Sequence, residues 1–465
     1  MQLNHSAVSA AYGLTGSQAA GLCLLFLLAI TGSWYYGAPA ILVIDLFLSL
    51  FFAALVSIRL AAFFLAPPES CGIQDRRRQT RSNEDLPVYS VLVPVYHETA
   101  ILPQLVRALK QLDYPQEKLD IKLIFEEEDT ETLESAHTLD LPEYWEFLIV
   151  PRAKPQTKPR ALDYALTFAR GKFTTIFDAE DIPTPDQLRC ALQAFEEGPE
   201  GLACLQAPLD FYNGDDNWLT RQFALEYAAL FHVLLPTLAK FNLPLLLGGT
   251  SNHFKTDILR KSGAWDPFNV TEDADLGIRL ARQGYRCGIL WSPTGEEANG
   301  HLGNWLRQRS RWLKGWMQTY AVHMRNPGLL WRELGPRGFF TFQALAGGMI
   351  VSSLVYPLFL LLFAGALVQN QLLDGLGSLP GALLLGLNGF NFVFGYTAAA
   401  MIGVEGVRRT GQVHLARSIF GVPFYWLLVS LGAYIALWQF FTKPFFWEKT
   451  RHGLSSNMPD YSEED

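Results

Sequence analysis

Basic charge is in deficit in this chain. Its 37 Lys and Arg face 45 Asp and Glu, a formal net charge of −8, and no broad basic face runs through it, which excludes a general nucleic-acid binder. Cysteine is scarce as well. Cys23, Cys71, Cys190, Cys204 and Cys287 are scattered, odd in number and without metal-type spacing. They exclude a disulfide framework and a zinc site and fit a central domain in a reducing compartment. Ahead of the first apolar run there is no Lys or Arg, so the charged region of a cleaved signal peptide is missing.

Apolar residues are plentiful and clustered. They make up 49% of the 465 residues, with a mean hydropathy of +0.12. Two long runs open the chain, roughly Gln18 to Trp34 and Ala38 to Ala66. Both approach or exceed the ~20 residues of a spanning helix, and Trp34, Tyr35 and Tyr36 lie between them as an aromatic belt does. Arg76, Arg77, Arg78 and Arg81 follow, which places that end and the polar region after it on the cytoplasmic side. Three more runs close the chain: Phe340 to Val368, Leu379 to Val404 and Ile419 to Phe441. Five spans would leave the C-terminus outside, yet Arg408, Arg409, Arg417, Lys443, Lys449 and Arg451 favour both late loops inside. Either one run is re-entrant, with Gly347-Gly348 marking the first of the three as a candidate, or a short span is hidden. The resulting division is a tail at 1–17, two spans within 18–66, a basic linker at 67–87, a central domain at 88–304, an amphipathic interface helix within 305–338, about three membrane helices within 339–441, and a tail at 442–465.

The centre reads as an α/β domain. Tyr89 to Val95 (YSVLVPV), Asp120 to Phe125 (DIKLIF) and Phe173 to Phe177 (FTTIF) are short continuous apolar runs, the pattern of buried parallel strands. Helical spacing of Leu102, Leu105, Leu109 and Leu112, and of Ala161, Ala165 and Ala169, separates them, which predicts a parallel, doubly wound sheet. Ligands of such sheets bind beyond the carboxyl ends of the strands. Acids stand at two such ends: Glu126, Glu127, Glu128 and Asp129 after the second strand, and Asp178-Ala179-Glu180-Asp181 after the third.

Three motifs carry the chemistry. Asp178 and Glu180, one residue apart, can hold a hard cation such as Mg²⁺ or Mn²⁺ through oxygen, or form a plain polar turn before Pro183. Thr271-Glu272-Asp273-Ala274-Asp275 precedes a helical pattern. It reads either as an N-cap with acids that favour the helix dipole or as the site of a general base at Asp273. Gln308, Arg311 and Trp312 share one helical face within an amphipathic segment suited to a membrane surface, where indoles also offer a platform to sugar rings. Lys158 and Arg160, at a helix start, are either phosphate ligands or ordinary surface charges.

Taken together, these motifs resemble the family-2 processive glycosyltransferases, the group of cellulose, hyaluronan and chitin synthases. The phrases VPVYHE (Val93–Glu98), TKPRAL (Thr157–Leu162), GGTSNHF (Gly248–Phe254), FNVTEDADLG (Phe268–Gly277), WLRQRSRWLKGWMQT (Trp305–Thr319) and KPFFWEKTRHG (Lys443–Gly453) are most similar to the bacterial XagB-type exopolysaccharide enzymes. The resemblance implies a GT-A-type catalytic domain, cytoplasmic and inserted between transmembrane helices of the inner (plasma) membrane. It makes Asp273 the catalytic base. Pro94, Tyr96, Glu98, Glu126 or Glu127, Lys158 and Asp178 become donor-binding residues, and Glu272, Gln308, Arg309, Arg311 and Trp312 the acceptor and diphosphate site. Asp178 and Glu180 become ligands of Mg²⁺ or Mn²⁺. Two departures stand out: the DxD-type motif reads Asp-Ala-Glu, and Glu replaces the usual Asp after the second strand. No PilZ-type control is expected within the chain. The implied activity is inverting polymerisation of a nucleotide-sugar, UDP-linked in the family, into a β-linked exopolysaccharide coupled to export. The partners are the donor, the growing polysaccharide, the bilayer and accessory synthase or export subunits. Transfer of a single sugar to a lipid, and a non-catalytic synthase subunit, stand as alternatives. Asn388, Asn391 and Gly395 share one helical face, and Trp426, Ser430, Tyr434 and Trp438 another. Either face lines a sugar path or bonds helices together.

Overall fold

The computed structural model describes residues 9–68, 82–139, 141–370 and 373–446. Cys71, the arginines of the basic linker, Lys449 and Arg451 lie outside the described residues. Among the described residues, ten strands and fifteen α-helices follow one another. The membrane-type helices α1 (Gly16–Tyr36) and α2 (Ala38–Leu65) come first. The α/β domain is built from β1 (Tyr89–Val95), α3 (Leu102–Lys110), β2 (Leu119–Glu126), α4 (Thr130–His137), β3 (Trp145–Val150), α5 (Lys158–Leu166), β4 (Phe173–Ile176), β5 (Ile182–Pro183), α6 (Gln187–Glu197), β6 (Leu202–Gln206) and β7 (Leu209–Phe211). It continues through α7 (Trp218–Ala229), α8 (Leu235–Lys240), β8 (Asn252–Lys255), α9 (Thr256–Lys261), α10 (Glu272–Arg282), β9 (Arg286–Ile289) and β10 (Thr294–Glu296). The last helices are α11 (Leu302–His323), α12 (Pro327–Phe342), α13 (Gly348–Val368), α14 (Leu379–Arg409) and α15 (Val422–Thr442).

Seven strands form one sheet in the order β3-β2-β1-β4-β8-β6-β9. Alternation along each strand sorts its side chains to two faces. Val91, Val93, Val95, Ile121, Leu123 and Phe125 meet α3 and α6 on one side. Leu92, Ile124 and Ile176 meet α5 and α10 on the other. Both faces are therefore covered, and each large apolar side chain so buried contributes about 1.5–3 kcal/mol. The first four strands are parallel, as the apolar runs predict. Strand β8 departs from that pattern by running antiparallel to both β4 and β6, with Thr175 opposite His253. Its reversal brings the preceding loop, Gly248–Ser251, to the carboxyl end of β4, beside Asp178.

Six helical stretches among the described residues are long and apolar enough to cross a membrane. Five correspond to the runs read from the sequence. The sixth, Trp218–Lys240, is 72% buried within the protein and continues from α7 to α8 through a π-turn at Leu230–Leu234. Helices α1 and α2 meet at Gly37, whose φ of 55° suits glycine, and Pro39 opens α2. Helix α12 breaks at Gly335 (φ 66°) ahead of Pro336. Within the bundle, Asn388 donates to Asp45 at 3.0 Å and Asn391 to the Ser49 carbonyl at 2.8 Å, so α14 is hydrogen-bonded to α2.

Helix α15 runs beside α11. At its start, Gln222 of α7 donates to the Ser418 carbonyl at 2.7 Å. Beyond its end, Lys314 and Gln318 of α11 donate to the carbonyls of Phe446 (2.6 Å) and Pro444 (2.9 Å). The segments flanking this 21-residue helix thus bond to α7 of the α/β domain on one side and to α11 on the other. The N-terminal segment is tied to the same region. Ala10 N–H donates to Asp266 at 2.5 Å, and Arg325 donates to the Ser9 and Gly13 carbonyls at 2.9 Å each.

Candidate active site

The carboxyl ends of β1, β2 and β4 open on one side of the sheet; β2 ends in Glu126, and the loops that leave β1 and β4 carry Glu98 and Asp178. Lys158, the first residue of α5, reaches across this opening. Its ammonium pairs with Asp178 and donates to the Gly249 carbonyl at 2.8 Å. Burial pulls the Lys158 pKa down, but Asp178 and Glu272 outweigh it and hold the group above the ordinary lysine value. Asp181 caps the turn after β4: its Oδ2 accepts from the Asp178 N–H at 2.6 Å and from the Thr250 hydroxyl. Its Oδ1 is buried without a hydrogen-bond partner. Burial, reinforced by Glu296, Asp178 and Glu180, pushes the Asp181 carboxyl far above the usual range.

Helix α10 starts at Glu272, so the first-turn acids lie where the helix dipole favours negative charge. Burial raises Asp273 to about 6, against the opposing pull of Lys158 and Arg311. Burial and the neighbouring Asp273 raise Glu272 to about 7. Helix α11 is fastened along the loop ahead of α10. Asn269 donates to Thr319 at 2.9 Å, the Val270 N–H donates to Gln318 at 3.2 Å, and Gly315 lies against the Thr271 side chain. Gln308 is oriented by a relay. Asn304 donates to Asn299, and Asn299 donates to the Gln308 carbonyl oxygen at 2.9 Å.

These groups border one cavity of about 1140 Å³. It brings together Pro94, Tyr96, Glu98, Glu126, Lys158, Asp178, Glu180, Glu272, Asp273, Gln308, Arg309, Arg311 and Trp312. Of the two candidate acids after β2, only Glu126 reaches it, held by Arg160 at 2.6 Å. Glu127 is exposed and accepts from the Arg152 N–H at 2.9 Å. Arg160 therefore belongs to Glu126, and Lys158 to the cavity. Arg309 differs from its expected role as an acceptor or diphosphate ligand. Its two terminal nitrogens donate to Glu226 at 2.9 and 2.6 Å and one also to Tyr425 at 2.7 Å. The rings of Phe223, Trp305, Trp312 and Tyr425 surround its guanidinium at 5.0–5.8 Å. Those donors already tie α11 to α7 and α15. Of three tryptophans on α11, Trp312 and Trp316 border the cavity, whereas Trp305 is fully buried.

The cavity does not stop at the α/β domain. It continues between α2, α13, α14 and α15, where Asn391, Gly395, Trp426 and Ser430 border it. Asn388 is instead spent on Asp45, Tyr434 donates to the Leu354 carbonyl at 2.8 Å, and Trp438 is 72% exposed. Sequence reasoning passed over Arg59 and Asp45, which also border the cavity. Each is a charge inside an apolar run, itself a signal of function. Glu226, Glu296 and Asn299 gave no comparable signal, since they become neighbours of the motifs only through the fold.

Three or more His, Cys, Asp or Glu side chains are nowhere grouped to hold a metal ion among the described residues. The donors at hand are the hard carboxylate oxygens of Asp178 and Glu180, with the orphaned Oδ1 of Asp181 behind them. That set fits a small divalent cation held by one or two carboxylates, with substrate phosphates completing its shell.

Known proteins with similar sequences and structures are as follows. Over 262 residues the chain is 27% identical to cellulose synthase 2 of Novacetimonas hansenii, a match covering 54% of this chain and 16% of that protein. Over 382 residues it is 26% identical to the beta-monoglucosyldiacylglycerol synthase of Synechocystis, covering 80% of this chain and 76% of that one. Among solved structures, the mannosyltransferase PcManGT of Pyrobaculum calidifontis, in complex with GDP-Man and Mn²⁺, is similar at 15% identity. It has a TM-score of 0.46 over 85% of this chain and 99% of that chain. The family model described as "Glycosyl transferase family group 2" matches residues 173–443. That stretch runs from β4 through Asp178, Asp273 and Arg311 to the end of α15, and the chain belongs to this family of glycosyltransferases.

Proposed function

We propose that the chain transfers a sugar, with inversion, from a nucleotide-sugar to an acceptor that reaches Asp273 from the membrane side. One observation carries this reading: a single cavity joins the strand-end carboxylates, Lys158 and Asp273 to the apolar helices α2, α13 and α14. The nucleotide lies over the carboxyl ends of β1 and β2, against Tyr96, Glu98 and Glu126. Lys158 and Arg311 face the diphosphate. Asp178 and Glu180 would hold a divalent cation, Mg²⁺ or Mn²⁺, which would neutralise charge on the leaving group. The acceptor oxygen bonds to the anomeric carbon as that carbon's bond to the diphosphate breaks. The acceptor proton passes to Asp273 and the nucleoside diphosphate departs, so an α-linked donor yields a β-linked product. Holding both partners in line supplies much of the acceleration, and Arg311 stabilises charge on the departing diphosphate.

Repeated at the end of a growing chain, this step makes a β-linked exopolysaccharide, in the manner of the XagB-type enzymes that the motifs resemble. The Gln308–Arg311–Trp312 face, at the junction with the membrane helices, supports that reading. The apolar wall of the membrane half of the cavity favours a second one, single transfer to a lipid. In either case the α/β domain faces the cytoplasm at the inner membrane, and accessory subunits complete export. The test is UDP release from a panel of UDP-sugars by the purified protein in nanodiscs, with and without Mg²⁺ or Mn²⁺, and with Asp273→Asn as control. Metal-dependent release with one sugar, lost in the variant, is expected, and product size then separates polymer from single transfer. Equal release by Asp273→Asn would overturn the assignment.

A further inference from the structure

The cavity changes character along its length. Beside Asp273 its cations are compensated in contact, Lys158 by Asp178 and Arg309 by Glu226. Farther on, between α2, α13 and α14, its wall is made of Phe52, Leu55, Phe359, Leu362 and Phe392. Arg59 of α2 also borders the cavity, and its guanidinium makes no hydrogen bond or ion pair among the described residues. Glu226 acts on it only through space, because both Glu226 oxygens are taken by Arg309 and one of them also by Tyr425.

A guanidinium in a membrane helix is costly unless it faces an aqueous cavity or an opposite charge. Arg59 lies six residues before the end of α2, about 9 Å at the helical rise. That is close enough for an outward-facing arginine to reach lipid phosphates along the outside of the helix, yet Arg59 borders the interior. Its planar fork matches phosphate oxygens better than an ammonium does.

We propose that the membrane half of the cavity binds a phosphate-bearing lipid. Its phosphate sits on Arg59, its chains lie along Phe52, Phe359 and Phe392, and its hydroxyl-bearing headgroup points toward Asp273. This rests on the glycosyl-transfer reading and gives the acceptor, or the primer of a polymer, a chemical class. Sugar arriving at that hydroxyl forms a glycosidic bond without touching the phosphate, so the anionic contact persists through the transfer.

The test reads lipid binding without turnover. Delipidated protein in detergent is titrated with dioleoyl-phosphatidylglycerol and, separately, with dioleoylglycerol, which has the same chains and no phosphate, and retention is followed by native mass spectrometry. The phosphate-bearing lipid should bind at least tenfold tighter. Arg59→Gln should abolish that preference and Arg59→Lys should keep part of it, while UDP affinity stays unchanged in both. Equal retention of the two lipids, or an undiminished preference in Arg59→Gln, would overturn the proposal. So would a loss of UDP or inorganic-phosphate binding in Arg59→Gln, which would assign Arg59 to the donor. Should Arg59→Gln fail to fold, Arg59→Lys and the two-lipid comparison in the unaltered chain still decide. Absence of UDP release in the unaltered protein would count against glycosyl transfer and leave the lipid measurement readable.

Discussion

A carboxylate that must accept a proton near neutral pH has to be less acidic than free aspartate, and burial does this to Asp273, at about 6, and to its neighbour Glu272, at about 7. A base works only when deprotonated. Transfer should therefore rise with pH through this window and level off above it, and a pH–rate profile flat from 5 to 8 would contradict the role. The same burial has a stability consequence of opposite sense. A folded-state pKa above the unfolded value stabilises the fold at low pH, and that contribution disappears as pH climbs through about 6. Asp273→Asn should then be the more stable protein at pH 8, by about 1–2 kcal/mol after allowance for partial exposure, with the difference vanishing near pH 4; thermal melting at the two pH values reads it. Gly315 shows another constraint: a methyl there would fall 2.8 Å from Thr271 Cβ. Gly315→Ala should push α11 off the loop that positions Asp273, lowering turnover at least tenfold while donor affinity is kept. Wild-type turnover would show that this contact is slack. Such residues differ in legibility. Asp178, Asp273 and Arg311 could be picked out because their motifs are local. Spacing alone did not separate Lys158 from Arg160, since what distinguishes them is which carboxylate each meets, Asp178 or Glu126, on different strands; only the resemblance singled out Lys158.

At the scale of elements, local pattern placed β1, β2 and β4 and the five terminal apolar runs. It could not tell which runs cross the bilayer, because apolarity is shared by spanning, buried and surface-lying helices. Trp218–Lys240 passes on composition but is enclosed by protein. Helix α15 is the more consequential case. One face, including Val422, Tyr425, Val429, Ala433 and Ala436, is buried. The opposite stripe, Phe420, Phe424, Leu427, Leu431, Tyr434, Trp438 and Phe441, is exposed at the three-and-four spacing of a helix. The segments before and after it bond to Gln222 of α7 and to Lys314 and Gln318 of α11, and we propose that the helix lies along the membrane surface with its aromatic stripe in lipid. We propose on this basis that α1, α2, α13 and α14 cross the bilayer, which would put the cationic loops at Arg408–Arg417 and Lys443 on the same, cytoplasmic side. A fluorescent protein fused at the C-terminus should be bright and an alkaline phosphatase fusion inactive; the reverse pattern would make α15 a span. Arg309 is the staple of this arrangement. Arg309→Ala leaves Glu226 without its guanidinium partner, a loss that costs less than the about 3–5 kcal/mol of a fully buried pair, because Glu226 is partly exposed and keeps its bond from Tyr425. It should loosen α15 from α11, read as faster proteolysis after α14 and a lower melting temperature.

For the whole molecule, the question is how an acidic protein takes an anionic donor. The chain carries a net charge of −8, and the donor end of the cavity repeats that imbalance. Asp178, Glu180, Glu272, Asp273 and Glu296 border it together with Lys158 and Arg311. Lys158 is already paired with Asp178, and burial lowers Arg311 despite the surrounding carboxylates. A diphosphate brought into that field meets more negative charge than positive, in surroundings where charges interact more strongly than in water. Mobile counter-ions do not remedy this within a narrow cleft. A divalent cation held by Asp178 and Glu180 would supply the missing positive charge, and Asp181 behind them has an oxygen with no hydrogen-bond partner. Donor binding should accordingly weaken by a hundredfold or more in EDTA and recover with Mg²⁺ or Mn²⁺, whereas the melting temperature of the donor-free protein should hardly move. Glu180→Gln should mimic chelation. Glu180→Asp, which restores the shorter acid of the usual motif, should keep metal-dependent binding. If UDP bound equally well with and without metal, calorimetric titration would show it directly, and the charge would then have to be met by protons on Glu272 and Asp181, which predicts tighter binding as pH falls from 8 to 6.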